Sequence, residues 1–266
     1  MGAVALLRQA MYDANWYTAA WEAYHASPQL PRPETNAALD ALARATQSTT
    51  FVIDAPNERM AIRADAIASE FSLKMIIRGS GREYRELDEI VAANRPILVP
   101  VNFPKPPNVK TTEAAQRATL QDLMHWDIAP ENPARLSAAG LPICLTTDGL
   151  DDVGDFLKQV RVAVSRGLPA DAALAAMTTV PARLLEVDEH VGRVQPGMLA
   201  NLVITDGDLL AEKTKVLECW VAGEQFVTSP PATGTKLVGV YELTFRVGED
   251  EVTVQLELKE KNNQLS

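Results

Sequence analysis

The sequence contains little cysteine and little histidine. Only Cys144 and Cys219 occur among its 266 residues, which argues against a disulfide framework and against a cysteine metal cluster. Cys144 lies in an apolar, strand-like segment, and we expect both cysteines to be buried free thiols. The three histidines are His25, His125 and His190. All three fall on or beside predicted helices, and no His-x-His pair occurs.

Positive charge and long apolar segments are also scarce. Lys and Arg total 25 against 35 Asp and Glu, which gives a net charge of −10. A nucleic-acid-binding surface needs clustered positive charge, so no nucleic-acid partner is expected. No segment approaches the roughly 20 apolar residues that span a bilayer, and the N-terminal sequence lacks the order of a signal peptide. We therefore expect no membrane partner, and both a cytoplasmic and an exported parent protein stay open.

Short apolar segments alternate with helical patterns through the first two thirds of the sequence. Spacings of three and four residues predict helices at residues 2–25 and 34–45. Four apolar segments then predict strands, at residues 50–53, 73–77, 96–101 and 141–146. Helical patterns follow the strands, at residues 58–71, 83–93, 111–125, 152–166, 169–177 and 178–185. A repeat of about 23 residues is typical of parallel βα units in a barrel or a doubly wound sheet.

The pattern changes to short alternating strands after Gly192. Segments at residues 200–205, 216–221 and 225–228 predict a small β module. A linker at residues 229–234 separates it from a predicted hairpin. The strands of that hairpin are predicted at residues 236–246 and 251–258.

An acidic residue follows the fourth predicted strand directly. The segment Leu-Pro-Ile-Cys-Leu-Thr-Thr-Asp-Gly at residues 141–149 ends in Asp148 and Gly149. In a barrel, the C-terminal ends of the strands form the catalytic mouth, where a carboxylate can bind a metal or accept a proton. The alternative is a purely local role, because Asp often forms an Asx turn or caps a helix, here before Asp152. The pattern alone leaves both open.

The sequence that follows Asp148 resembles the C-terminal end of imidazolonepropionase-like members of the amidohydrolase superfamily. The segments are PADAALAAMTTVPARLLEVDEHVGRVQPGMLANLVITDGD and VLECWVAGEQFV, and the resemblance covers roughly residues 40 to 228. It implies a metal-dependent hydrolase of non-peptide C–N bonds in small cyclic amide-like substrates. It also implies that Asp148 binds metal and transfers protons. One departure is Asn201, where the family commonly has Asp.

The resemblance also implies metal ligands that this chain lacks. The family has a His-x-His pair on the first barrel strand, a bridging Lys or Glu on the fourth, and single histidines that end the fifth and sixth. Aligned through the segment from Glu70 to Tyr84, the histidine positions hold Asp54 and Gly79. Asp148 and Asp54 are thus the candidate metal ligands. We expect no bound cofactor in this chain, and zinc or iron only if the full site were completed.

Arg78 lies next to Gly79 at the end of the second predicted strand. Its guanidinium is a candidate substrate-binding group for an anion. It could instead pair with Asp148, in which case a guanidinium would replace the metal cation.

The predicted strands resemble the fifth to eighth strands of a (β/α) barrel. The expected fold is therefore α/β, a partial TIM-like barrel with a small β-sandwich module and an extra C-terminal β hairpin. We expect the partial barrel at residues 1–185, the composite β-sandwich strands at 186–228, and a linker with the start of a further β domain at 229–266. Half a barrel has open edges, so we expect self-association or pairing with a missing N-terminal half.

Two functional interpretations follow from the resemblance and the incomplete ligand set. The first is a hydrolase of the family type, with Asp148 as base and a small-molecule substrate, inactive as this chain. The second is a non-catalytic relative of the barrel that acts as a binding or assembly module.

Overall fold

The computed structural model describes residues 2–228 in full and, farther along, the backbone of four strands. Four short parallel strands form its main sheet: β1 (Phe51–Asp54), β2 (Met75–Arg78), β3 (Ile97–Pro100) and β4 (Ile143–Thr146). They lie in the order β1-β2-β3-β4, each paired in parallel with the next. The predicted α/β fold with parallel strands is confirmed.

Helices precede, connect and follow these strands. They are α1 (Gly2–Ala26), α2 (Ala37–Ser48), α3 (Glu58–Glu70), α4 (Leu87–Ala93), α5 (Thr112–Arg117), α6 (Leu120–Ile128), α7 (Asn132–Ala138), α8 (Phe156–Ser165), α9 (Ala170–Met177) and α10 (Thr179–Leu184). Short 3₁₀ turns lie at Glu83–Glu86, Ala129–Glu131 and Val153–Asp155. Within the described residues, none of the helices has the length and apolarity needed to cross a bilayer.

Between β3 and β4 the structure differs from the prediction in two ways. The single helix expected at residues 111–125 is split into α5 and α6, because Thr119 and Asp122 form a capping box that starts a new helix. Helix α7 is absent from the prediction, because Pro130 and Pro133 favour the end of a helix in a sequence pattern. Proline is tolerated in the first turn of a helix, where the N–H has no intrahelical partner.

Side chains of the parallel strands alternate between two faces of the sheet. Ile53, Ile77, Ile97, Val99, Ile143 and Leu145 belong to the main apolar cluster, which also includes helical residues such as Ile90, Leu136 and Val160. A strand places successive side chains on opposite faces, so Asp54 and Arg78 lie on the face turned away from this helical layer. The core therefore fixes where the polar strand ends point.

Helix α1 packs on the helix-covered side of the sheet. Met11 is buried in a second cluster with Ala68 of α3 and Met75 of β2. At the rim of this cluster the hydroxyl of Tyr12 donates a hydrogen bond to Glu70. The helix thus adds a layer outside the sheet and leaves the strand ends open.

The second sheet is antiparallel and follows the helices. Its strands are β5 (Leu202–Thr205), β6 (Val216–Val221) and β7 (Glu224–Val227), in that order. Ala222 and Gly223 both have positive φ values, as a two-residue type I′ hairpin turn requires. The predicted β module is therefore present.

Strands β8 (Gly239–Val247) and β9 (Asp250–Leu258) form the predicted C-terminal hairpin, with Gly239 paired to Leu258 and Val247 to Asp250. Two-residue strands follow, β10 (Glu260–Lys261) and β11 (Gln264–Leu265). The predicted linker at residues 229–234 lies outside the described residues.

The two cysteines differ in their surroundings. Cys144 is buried in β4, and burial raises the pKa of its thiol to about 11. Cys219 in β6 is only half-buried, so the prediction that both cysteines are buried is wrong for Cys219. At about pH 8 the thiolate fraction of Cys144 should be on the order of one thousandth. We therefore expect Ellman's reagent to modify Cys219 in the native protein and Cys144 only after denaturation. Equal rates for both thiols would contradict this.

Candidate functional site

The C-terminal ends of β1, β2 and β4 bring together the three charged residues that the sequence singled out. Asp54 and Arg78 are direct neighbours in the strand register. The Arg78 guanidinium donates from Nη1 to Asp54 Oδ1 at 3.0 Å. It also donates to both oxygens of Asp148, from Nη2 at 2.6 Å and from Nε at 3.0 Å. One guanidinium therefore bridges two carboxylates.

The turn after β4 holds Asp148 in place. The Thr146 hydroxyl accepts a hydrogen bond from the Asp148 amide at 3.3 Å. Gly149 follows with φ +71°, and a Cβ there would lie 2.2 Å from Asn102 Nδ2. The turn thus needs glycine both for its backbone conformation and for the close approach of Asn102.

The local capping role considered for Asp148 belongs to another residue. Asp152 caps the following 3₁₀ turn, and its side chain accepts a hydrogen bond from the Gly154 amide at 2.8 Å. Among the described residues, the carboxylate of Asp148 bonds to Arg78 instead. Asp148 is therefore free of a helix-capping function and available to the strand-end site.

These residues line an open pocket of about 380 Å³ at the strand ends. Its lining consists of Asp54, Ala55, Pro56, Arg78, Gly79, Ser80, Pro100, Asn102 and Asp148. The side chains of Arg78 and Asp148 are 42% and 39% exposed, whereas that of Asp54 is 72% exposed. The pKa of Arg78 is raised, first by its hydrogen bond to Asp148 and then by the charges of Asp148 and Asp54. Two carboxylates against one guanidinium leave the pocket with a net negative charge.

A buried polar pair that the sequence did not reveal lies behind Gly79. Glu83 and Asn132 are fully buried, and the Asn132 amide donates to Glu83 Oε2 at 2.7 Å. Glu83 Oε1 accepts from the Ser80 amide at 2.6 Å and from the Ser80 hydroxyl at 3.1 Å. Asn132 Oδ1 accepts from the Tyr84 amide at 2.8 Å. This network fixes the segment that leaves β2 at the pocket.

Gly79 has no room for a larger side chain in this arrangement. A Cβ at Gly79 would lie 2.7 Å from Glu83 Oε1 and 3.0 Å from Ile97 Cγ2. The family resemblance aligns Gly79 with a metal-binding histidine. A histidine at this position would require Glu83 to move out of its buried hydrogen bonds.

The histidines lie away from the pocket, as the sequence predicted. His25 is in the last turn of α1, next to Trp21, and His190 is exposed in a turn after α10. His125 is in the last turn of α6, where its Nδ1 lies 3.0 Å from the Tyr84 hydroxyl. A protonated imidazole in the last turn of a helix is favoured by the helix dipole. The pKa of His125 is nevertheless lowered, first by burial and then by the charges of nearby arginines.

The described residues do not fit the metal centre that the resemblance implies. Among them, no group of three or more His, Cys, Asp or Glu side chains could hold a metal ion. The two candidate ligands, Asp54 and Asp148, are both hydrogen-bonded to Arg78. A tight zinc site normally needs three protein ligands, and this pair supplies two. A metal role for Asp54 and Asp148 stays a prediction.

Comparison with known proteins supports the resemblance. Residues 131–233 match the amidohydrolase family. Amidohydrolase tasK from Hapsidospora irregularis is 37% identical over 57 residues, which cover 21% of this chain and 6% of that protein. The match to the family, at residues 131–233, begins just before α7 and includes β4, Asp148 and the antiparallel sheet β5-β6-β7.

Solved structures share the fold. The structure of an amidohydrolase from Thermotoga maritima MSB8 superposes with a TM-score of 0.64 and 20% identity, over 85% of this chain and 56% of that one. A second amidohydrolase structure gives a TM-score of 0.50 and 16% identity, over 71% of this chain and 47% of that one. The chain thus spans about half of these proteins. The predicted barrel-type fold is confirmed, and membership of the imidazolonepropionase-like subgroup stays a prediction.

Proposed function

We propose that this chain, whose residues 131–233 match the amidohydrolase family, forms the Asp148 half of a hydrolase barrel that acts on non-peptide C–N bonds of small cyclic amide-like molecules. The observation that carries the proposal is the position of Asp148 in a pocket at the C-terminal ends of parallel strands. Enzymes with (β/α) barrels have their active sites at this end of the strands. The substrate would bind in the pocket around Arg78.

Each polar group of the pocket has a part in this proposal. Asp148 is the proton acceptor. A guanidinium has five N–H donors, and three of them bond to Asp54 and Asp148. The remaining two can donate to a carbonyl oxygen of the substrate. The amide of Asn102 borders the same space.

In the arrangement described, the chain binds a ligand without hydrolysing it. Both oxygens of Asp148 accept hydrogen bonds from Arg78, so one lone pair of each oxygen is taken up by the guanidinium and not by a metal. Zinc or iron, which would activate water in a complete family site, would need ligands beyond Asp54 and Asp148. We propose that other parts of a complete barrel supply them.

The second candidate function is a non-catalytic binding or assembly module on the same fold. It is favoured by Glu83, because this buried carboxylate fills the space beside Gly79 in which a family histidine would lie. In this case Arg78 and its carboxylates serve only to bind the ligand.

Binding and turnover of small cyclic amides test the proposed ligand and show whether this chain alone is a hydrolase. We would screen hydantoin, dihydrouracil and 2-pyrrolidinone by saturation-transfer NMR and follow ring opening in the same samples. Asp148→Asn should weaken binding about tenfold, which corresponds to about 1.4 kcal/mol. The matched control is Asp151→Asn, which changes an exposed aspartate paired with Lys105.

The outcomes differ for each candidate. Ring opening that Asp148→Asn abolishes and Asp151→Asn leaves intact would establish the hydrolase in this chain alone. Binding without ring opening fits the half-site proposal and the binding module. Absence of binding across the screen, with a folded protein, would contradict the proposed cyclic amide ligands.

A further inference from the structure

We infer that the Arg78 guanidinium is a built-in cation that takes the place of a divalent metal at this pocket and keeps such a metal out. The inference uses the pocket of the proposed function, but it concerns the charge balance there and not the substrate. It accounts for three features together: the bridging arginine, the missing histidine at Gly79 and the buried Glu83.

Arg78 already bonds to both candidate metal ligands, Asp54 and Asp148. Its Nη1 bonds to Asp54, and its Nη2 and Nε bond to the two oxygens of Asp148, all between 2.6 and 3.0 Å. A metal bound by the same two carboxylates would have to lie between them, in the volume that the guanidinium fills. Arginine stays protonated in proteins. The positive charge is therefore permanent.

A further metal ligand would be needed on the Gly79 side of the pocket. Gly79 supplies no side chain, and Glu83 Oε1 lies 2.7 Å from where its Cβ would be. Glu83 itself cannot turn towards the pocket without loss of its bonds to Ser80 and Asn132. The site is thus arranged for a fixed guanidinium and against a third metal ligand.

The inference predicts that removal of the guanidinium creates a cation site. Without Arg78, the carboxylates of Asp54 and Asp148 would face the same volume and repel each other. Oxygen ligands suit Mn²⁺, Mg²⁺ and Ca²⁺. A divalent cation should then bind between the two carboxylates, with water in its other positions.

Mn²⁺ titration provides the test, because free Mn²⁺ has a six-line electron paramagnetic resonance signal that weakens on binding. Arg78→Met should bind one equivalent of Mn²⁺ at least about tenfold more tightly than the unchanged protein. The double change Arg78→Met with Asp148→Asn should lose this gain. Arg78→Lys is the matched control, since an ammonium group restores the positive charge, and it should behave like the unchanged protein.

Far-UV circular dichroism and protection of Cys144 from Ellman's reagent would show that each variant is folded. If Arg78→Met does not fold, Arg78→Gln takes its place. The inference is overturned if the unchanged protein binds one Mn²⁺ in a manner that Asp148→Asn weakens. It is equally overturned if the folded Arg78 variants bind Mn²⁺ no better than the unchanged protein. The titration contains no cyclic amide, so its result is separate from the proposed function.

Discussion

Asn132→Asp should lower the free energy of unfolding by about 3 to 5 kcal/mol at neutral pH. The change keeps the size of the side chain and the oxygen that accepts from the Tyr84 amide. It replaces the donor to Glu83 Oε2, now at 2.7 Å, with a second carboxylate. Both positions are fully buried, so two like charges would face each other out of water. Urea denaturation followed by circular dichroism measures the loss.

The loss from Asn132→Asp should depend on pH in a defined direction. Two buried carboxyl groups in contact favour a shared proton, so the folded variant binds a proton more readily than the unfolded chain does. Its stability should therefore rise relative to the unchanged protein as the pH falls from about 7 to about 5. Asn108→Asp, in an exposed loop, is the control and should stay within about 0.5 kcal/mol. A pH-independent loss would contradict the charge argument.

Leu136→Ala should lower the free energy of unfolding by about 3 kcal/mol. Leu136 is fully buried in α7 and belongs to the main apolar cluster between the helices and the sheet. Truncation to alanine removes apolar contacts and leaves a cavity at the side of α7 that packs on the sheet. The same urea denaturation series measures the change.

Leu120→Ala is the matched control for this truncation. Leu120 begins α6 and is 72% exposed, and no residue of α6 is buried. The same change there should cost less than about 0.5 kcal/mol. If both variants lost equal stability, α7 would not be part of the core.

The sequence predicted the parts of this fold that depend on local pattern. The strands β1 to β4 were found because apolar segments recur at the spacing of βα units, and parallel pairing followed from that spacing. Asp54, Arg78 and Asp148 were placed at one edge because parallel strands end together. The hydrogen bonds show the pairing of Arg78 with Asp148 that the sequence left open beside a substrate-binding role.

The features that the sequence did not reveal depend on contacts between distant residues. Glu83 and Asn132 are 49 positions apart, and each by itself looks like an ordinary polar residue near a helix start. Nothing in the spacing shows that Glu83 is buried rather than exposed. Helix α7 was missed for another reason, because prolines favour a helix end in sequence patterns as well as the first turn that they occupy here.

The crowding behind Gly79 makes the pocket hard to convert into a metal site by single mutations. A histidine introduced at Gly79 alone would collide with Glu83, and removal of Glu83 alone would leave Ser80 and Asn132 without their buried acceptor. Either order passes through a destabilised protein, and Arg78 would have to change as well. Descendants of this sequence can therefore vary around the arginine far more easily than they can acquire a metal-binding histidine at Gly79.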